Sequence, residues 1–563
     1  MTTIFINISS RQYFRLRFRS FFSSRSFLKI SCFTILLSSL FSIPSLSAPP
    51  SDVKLAKEQV FHRGNGTEPH SLDPHIAEGV PSSHIHRDLY QGLISETPSG
   101  ELMPGVASSW DISDDGKEYI FHIRPTAKWS NGDPVTADDF VFSWRRVVDP
   151  ITASNYSQML APIVNAGKII SGDLPITELG VNALNEKTLR VKLHSPTPFF
   201  LGLLAHATAY PIHPGSFKKH GGKHTRPGNL VSNGAYMLDE WEIQSHVKLV
   251  RNKQYWDNEN TIIDSVYFYP TEDLNGEVLR YRAGELDFTY QLPVSQIDRL
   301  KETLPDELHI VPYLGIYYYG LNLTQPPFKD SPVELRQALS MAIDREILTD
   351  KVLKDGSLPA YGWVPPGTLN YESKEYPWGK LSQEDRRAKA KELYKKAGYS
   401  EKNPFRVEIR YNTHQNHKKV ALAIAAMWKK NLGVLTTIIN QEWKVYLDVR
   451  QQQRVTQAFR AGWIGDYNDA FSFIEMGLSY NEMNNTGYGD PKFDRLVSQS
   501  IQAKTPEERT SFLQQAETLM LNDFPYIPIY YYTTKRLVKP YVGGYTNNIM
   551  DHLYSKDFYI LEH

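Results

Sequence analysis

The chain has 563 residues, 41% hydrophobic and 22% charged, with 62 basic and 62 acidic side chains. At about 150 residues per domain, this length predicts two to four domains with ample core. The first 47 residues hold six basic side chains and no acidic one, leaving 56 basic against 62 acidic beyond them, and a mildly acidic chain offers no basic footprint for nucleic acid.

In chain order, the basic start from Arg11 to Lys29 leads into an apolar run, Ile30 to Ile43, and then "PSLSAPP". This is the n-region, h-region and small-residue cleavage pattern of a secretory signal peptide. Cleavage is expected after Ser47, because cutting after Ala48 puts Pro49 first. The apolar run is shorter than the roughly 20 residues that span a bilayer. The long n-region also fits a start codon further downstream. The one cysteine, Cys32, follows Lys29 and Ile30, where a lipid-attachment motif wants an apolar and then a small residue. The exported chain is therefore expected to be soluble, without disulfide, thiolate metal site or cysteine nucleophile.

Strand-like runs, "KEYIFHIR" (Lys117 to Arg124), "TLRVKLH" (Thr188 to His194) and "VKLVRN" (Val247 to Asn252), alternate with helical ones. "TADDFVFSW" predicts a helix capped by Thr136 with acidic residues in its first turn. In "VELRQALSMAIDREILTDKVL" (Val333 to Leu353), Leu335, Leu339, Ile343 and Ile347 recur four apart, which predicts one helix. "HKKVALAIAAMWKKNLG" predicts another, stopped by Gly433. Mixed elements over this length point to α/β lobes. Two tyrosine triplets, "GIYYYGLN" (Gly315 to Asn322) and "IPIYYYTT" (Ile527 to Thr534), fit plain strand propensity. They also fit a pair of strands crossing between two lobes.

Enzyme signatures are missing: there is no H-E-x-x-H, G-x-S-x-G, G-x-G-x-x-G or Walker A loop. Histidines gather loosely at His70, His75, His84 and His86, and at His206, His213, His220 and His224. Carboxylates at ligand spacing are lacking, so surface or core roles are expected, with no metal and no cofactor. Asp114 with Asp115 and Asp138 with Asp139 sit in turn-like or cap-like contexts. In "FRAGWIGDYNDAF" (Phe459 to Phe471), Asp466 follows an apolar run. A carboxylate there is costly inside the protein unless something pairs with it. A cap, an internal salt bridge and a ligand's cation are the three ways of pairing it.

Several motifs together resemble one family. "ASSWDISDDGKEYIFHIRPTAKWSNGDPVTADDFVFSWRR" (from Ala107) is similar to the signature of peptide-type, family 5 solute-binding proteins of bacterial ABC importers. "NGAYML" at Asn233, "RNKQYWDN" at Arg251, "YRAGELDF" at Tyr281 and "PPFKDSPVELRQALSMAIDREI" at Pro326 extend the resemblance. "NQEWKVYLDVR" at Asn440 and "RAGWIGDYN" at Arg460 resemble its oligopeptide-binding members. The likeness runs over residues 55 to 563. It departs at "DYNDAF", where the family often has Glu-Pro after the Asn, a change expected to alter loop shape only.

The resemblance implies an α/β, two-lobed periplasmic-binding-protein fold of three domains, with mixed sheets and a hinge of two crossing strands. After a signal peptide at 1–47, domain I takes 48–90, 216–314 and 534–563, domain II 91–215, and domain III 315–533. Ligand lies between the lobes and is enclosed as they close. Asp466 is implied to pair with a peptide's α-amino group. Gly462 and Trp463, with Glu78, Gly79 and Val80 on the opposite lobe, are implied to pair with its backbone. Arg450, Arg460 and His417 are implied to meet the C-terminus directly or through water, and Asn412 belongs to the same peptide-binding set. Trp443, Trp463 and Tyr156 are implied walls of side-chain pockets, although as bare residues both tryptophans read as core. The implied role is a monomeric periplasmic receptor for peptides of about two to five residues, serving an inner-membrane ABC permease. Murein-peptide, nickel and haem receptors share the fold, and Asp466 favours a ligand with a free α-amine. From other classes, a secreted peptidase and a holdase chaperone are the rival readings.

Overall fold

The computed structural model describes residue 49 and residues 53–563 apart from 482, and for 443 and 444 the backbone alone. The expected signal peptide, its cleavage site and Cys32 lie outside the described residues, as does the side chain of Trp443.

Period-two alternation in "KEYIFHIR" makes the strand Glu118–Ile123, which buries Tyr119, Phe121 and Ile123. It lies between Ala107–Ile112 and Thr188–Lys192, and Val181–Asn185 completes a four-stranded antiparallel sheet. The helix Ala137–Val148 covers this sheet with Phe140, Trp144 and Val147. It starts at Thr136, as its cap signal requires, and the Asp139 carboxylate accepts from the Thr136 backbone N–H at 2.9 Å and from Trp129 Nε1 at 3.0 Å.

A second sheet orders Val60–Gly66, Ser265–Pro270, His246–Arg251 and Tyr236–Glu242, with the first pair parallel and the others antiparallel. Its core joins Phe61, Tyr236, Leu249 and Phe268 to Val538 and Phe558 from the end of the chain. A third sheet has six strands in the order Leu358–Pro359, Tyr526–Leu537, Leu308–Leu321, Ala458–Ile464, Arg406–Asn412 and Leu435–Gln441. The helix Gln415–Leu432 packs on it through Ile424 and Trp428 and ends at Gly433, whose φ of 77° suits glycine.

Two long strands, Leu308–Leu321 and Tyr526–Leu537, run antiparallel and belong to two cores. Leu308, Ile310 and Leu537 pack with Tyr281 and Ile297, whereas Ile316 to Leu321 and Tyr526 to Tyr531 enter the core of the six-stranded sheet. The register shifts between Pro312 and Ile316 and again between Tyr317 and Tyr318, and the passage from one core to the other falls at the first of these. The triplets themselves are core: Tyr317 stacks on Tyr530 at 4.5 Å.

The helix expected from Val333 to Leu353 is broken. It runs from Val333 to Met341, restarts at Arg345–Ile347 and continues as a π-helical turn, Leu348–Leu353. Asp344 forces the restart, because its carboxylate caps the Ile347 N–H at 3.0 Å. Arg345 turns wholly inward and donates to the carbonyls of Ser340 at 3.0 Å and Pro528 at 2.9 Å. Ile347 is thereby turned outward, 41% exposed.

One buried acid fixes the segment 363–374 to the helix Pro506–Asp523. Glu517 accepts from the backbone N–H groups of Trp363 (3.1 Å), Val364 (2.9 Å) and Lys374 (2.9 Å) and from the Tyr371 hydroxyl (2.7 Å). Burial raises its pKa to about 7 against the pull of these donors. Glu517→Gln keeps the shape but turns one acceptor into a donor facing Lys374 N–H and Tyr371. It is expected to destabilise the fold by about 1–3 kcal/mol, read as a lowered urea midpoint. An unchanged midpoint would show that water satisfies these groups instead.

Candidate functional site

The strand Ala458–Ile464 organises the site. Along one edge it pairs with Leu308–Leu321 over its whole length, from Ala458 opposite Leu321 to Ile464 opposite Gly315. Along the other edge it pairs with Arg406–Asn412 only at Ala458 and Phe459. From Arg460 onward, through Gly462 and Trp463, that second edge has no strand beside it among the described residues. A bare edge is a template for an added strand.

At the C-terminal end of this edge, a cavity of about 170 Å³ is lined by Ile464, Gly465 and Asp466 on one side and by Gly79, Val80, Tyr156 and His206 on the other. The lining thus comes from distant parts of the chain. Gly79 holds φ at 86°, a conformation that favours glycine, and delivers the chain into the helix Val80–Leu89. The first N–H groups of that helix have no intrahelical acceptor. Glu78 is exposed beside it and accepts a hydrogen bond from the Asn155 side chain. Tyr156 packs against the His206 ring at 5.3 Å.

Asp466 is half-buried here, and its carboxylate makes no hydrogen bond or ion pair among the described residues; only its backbone N–H is used, donating to Ser472 Oγ at 3.4 Å. Burial alone pushes its pKa up to about 6. No cap and no salt bridge takes this charge. A second acid, Glu475, stands nearby in the next helical turn. Burial, and then the charge of Asp466, push its pKa up to about 8. Sequence reading missed Glu475, although "SFIEMG" carries the same signal as Asp466, an acid set in an apolar run.

The other end is basic. Arg460 donates to Asn412 Oδ1 at 3.2 Å and to the Tyr532 hydroxyl at 3.0 Å, and its guanidinium lies 4.7 Å from the Tyr317 ring centroid. Arg450, on the helix Trp443–Gln452, lies 5.9 Å from the ring of Tyr446, whose hydroxyl donates to the Arg460 carbonyl. Neither arginine forms an ion pair among the described residues. His417 Nδ1 is 3.4 Å from the Tyr317 hydroxyl. Burial, with Arg460 and His414 beside it, drives the pKa of His417 down to about 2. A neutral imidazole there can still offer one N–H. Trp463 is half-buried, packs against the core of the six-stranded sheet and donates from Nε1 to Ser472 Oγ at 3.4 Å. It does not line the cavity of Asp466.

The structure thus gathers Glu78, Gly79, Val80, Tyr156 and Asp466 at an acidic end and Asn412, His417, Arg450 and Arg460 at a basic end. Gly462 and Trp463 lie between them on the bare edge. Tyr317 and Tyr532, which hold Arg460, were legible only as strand tyrosines.

Residues 101–485 match the family model described as the middle part of the bacterial extracellular solute-binding proteins, family 5. The chain is 43% identical over 518 residues to the periplasmic oligopeptide-binding protein OppA of Escherichia coli K12, covering 91% of this chain and 95% of that protein. Among solved structures, the E. coli murein tripeptide-binding protein MppA superposes with a TM-score of 0.79 at 39% identity, covering 90% of this chain and 100% of that one. Haemophilus influenzae OppA in complex with the peptide RPPGFSPFR superposes with a TM-score of 0.77 at 40% identity, covering 90% and 100%. With that identity and coverage, the chain belongs to family 5 of the bacterial extracellular solute-binding proteins, and its fold is theirs.

Proposed function

We propose that this protein is a periplasmic receptor that binds short peptides in the cleft between its lobes and delivers them to an inner-membrane ABC permease. The observation that carries this is the pair of unmatched charges, Asp466 and Arg460, at opposite ends of a bare strand edge. All linear peptides share an ammonium, a run of backbone N–H and C=O groups, and a carboxylate. Those groups complement the three parts of the site in that order. The six residue steps from Arg460 to Asp466 amount to at most roughly 20 Å of extended chain. After the reach of the two side chains, this suits peptides of about two to five residues. Arg450 provides a second cation for ligands that end elsewhere.

The separate cores of the three sheets support a division into domain I (48–90, 216–314, 534–563), domain II (91–215) and domain III (315–533), with closure about the break at Pro312 to Ile316. Export through a signal peptide at 1–47 accords with the periplasmic relatives and with the lack, among the described residues, of any helix long and apolar enough to cross a membrane. The murein-peptide relative makes murein peptides the second ligand class to test.

Calorimetric titration of the mature protein with Ala-Ala-Ala tests the reading, and mass spectrometry of the recovered peptide separates a receptor from a peptidase. Saturable binding with intact peptide is expected; cleavage, or no binding, overturns it. A pH profile adds a signature. In the empty protein Asp466 titrates near 6, and a bound ammonium holds it ionised. Affinity should then be greatest near pH 7, fall as pH drops through 6 to about a tenfold loss by pH 5, and fall again as the peptide's α-amine loses its proton above about pH 8. Asp466→Asn should abolish the acidic slope, and a wild-type profile flat from pH 7.5 to 5 would remove Asp466 from the ammonium site.

A further inference from the structure

The cavity that Asp466 lines is shared by residues beyond those assigned to the peptide terminus. Val80, Ser83 and Arg87 line it down one face of the helix Val80–Leu89. Seven residues of helix separate the Arg87 and Val80 backbones by roughly 10 Å. The lining also holds His86, His206, Tyr313, Asp551 and His552.

Most polar groups of this lining are already engaged. Both carboxylate oxygens of Asp551 accept from Arg536 Nη2, at 2.6 and 2.7 Å. His552 Nδ1 contacts Glu96 Oε2 at 2.7 Å, and His86 Nε2 contacts the Ser71 carbonyl at 3.1 Å. His206 Nδ1 accepts from the Thr208 N–H at 3.3 Å. Arg87 is different: its guanidinium makes no hydrogen bond and no ion pair among the described residues. Its positive charge acts on the ring of His206, adding to burial in holding that imidazole neutral. Two charged groups of the cavity thus lack a direct partner among the described residues, the Asp466 carboxylate and the Arg87 guanidinium, although the charge of Arg87 also helps to keep the Glu96 carboxylate ionised. They do not compensate each other, since burial alone accounts for the shift of Asp466.

A ligand that meets both carries an ammonium and, within the same cavity, an anion. We propose that Arg87 is a specificity-determining residue that receives the side-chain carboxylate of a peptide's first residue, so that this receptor prefers peptides beginning with aspartate or glutamate. The inference rests on the reading of Asp466 as the ammonium site, which sets the first side chain into this cavity. A guanidinium fork matches a carboxylate through two parallel hydrogen bonds, whereas a neutral amide offers it a single acceptor.

The test compares Glu-Ala-Ala, Gln-Ala-Ala, Lys-Ala-Ala and Ala-Ala-Ala by calorimetry on the full mature protein and on Arg87→Gln and Arg87→Glu. Wild type should bind Glu-Ala-Ala about tenfold or more tightly than its Gln isostere, and Lys-Ala-Ala least well. In Arg87→Gln the Glu-to-Gln ratio should fall to near one, and in Arg87→Glu the order of the Glu and Lys peptides should reverse. Equal binding of the Glu and Gln peptides by wild type overturns the proposal whether or not the variants fold. So does an unchanged ratio in a folded Arg87→Gln. If none of the four peptides binds wild type, the receptor reading falls and this one with it. Binding of Ala-Ala-Ala without a preference for Glu removes this proposal alone.

Discussion

Asp466→Ala is expected to weaken peptide binding by roughly a hundredfold to several thousandfold without unfolding the protein. The reason is asymmetric. Truncating one partner of a buried charge pair leaves the other, here the ligand ammonium, enclosed and unpaired, which costs about 3–5 kcal/mol. At about 1.4 kcal/mol per tenfold, that is the range stated. Asp466→Asn should be nearly as damaging, because it keeps the shape and removes the charge. N-acetylated peptides should bind wild type poorly and lose little more on Asp466→Asn, a double-mutant cycle with one change made in the ligand.

The same site gives an opposite expectation for stability. Burial raises the Asp466 pKa in the empty protein to about 6, above its value in an unfolded chain. The ionised form is thus disfavoured by folding, and stability is lost as pH rises through that interval. Empty Asp466→Asn should therefore melt no lower than wild type at neutral pH. A cap or an internal salt bridge predicts the reverse, a clear fall in melting temperature. Equal binding of acetylated and free peptides would assign Asp466 a structural role.

How much of this was legible beforehand depends on how local each signal is. The start of a helix at Thr136 and its stop at Gly433 follow from neighbours within a turn, and the structure has both. Strand alternation in "KEYIFHIR" is likewise local. The break at Asp344 was invisible in periodicity, because what turns Arg345 inward includes the carbonyl of Pro528, far along the chain. Asp466 stood out as an acid after an apolar run, yet only the fold shows that nothing pairs with it. His417 was legible as a residue but not as a charge state, since burial and Arg460 together set that. Arg87 and Glu517 sit on helices where a charged residue is ordinary, and their surroundings come from segments distant in sequence.

Arg460 is the counterpart of Asp466 and carries the second large prediction. Its guanidinium is held by neutral partners only: the Asn412 amide oxygen, the Tyr532 hydroxyl and the face of Tyr317. Those contacts fix its direction, but they leave a half-buried cation without an anion. A peptide carboxylate supplies that anion, so Arg460→Ala should cost about 2–5 kcal/mol in binding, roughly thirtyfold to a few thousandfold. Arg460→Lys keeps the charge but loses the fork that Asn412 and Tyr532 orient, and should fall between the two. C-amidated peptides provide the matching change in the ligand: they should bind wild type weakly and be almost indifferent to Arg460→Ala. The loss should also depend on peptide length, because a carboxylate that ends short of or beyond Arg460 turns to Arg450 or to water. A peptide that is insensitive to Arg460→Ala should then become sensitive to Arg450→Ala. If free and amidated peptides of every length bind wild type equally well, the basic end takes no part in recognition, and Arg460 serves only to tie the strand Ala458–Ile464 to the tyrosines beside it.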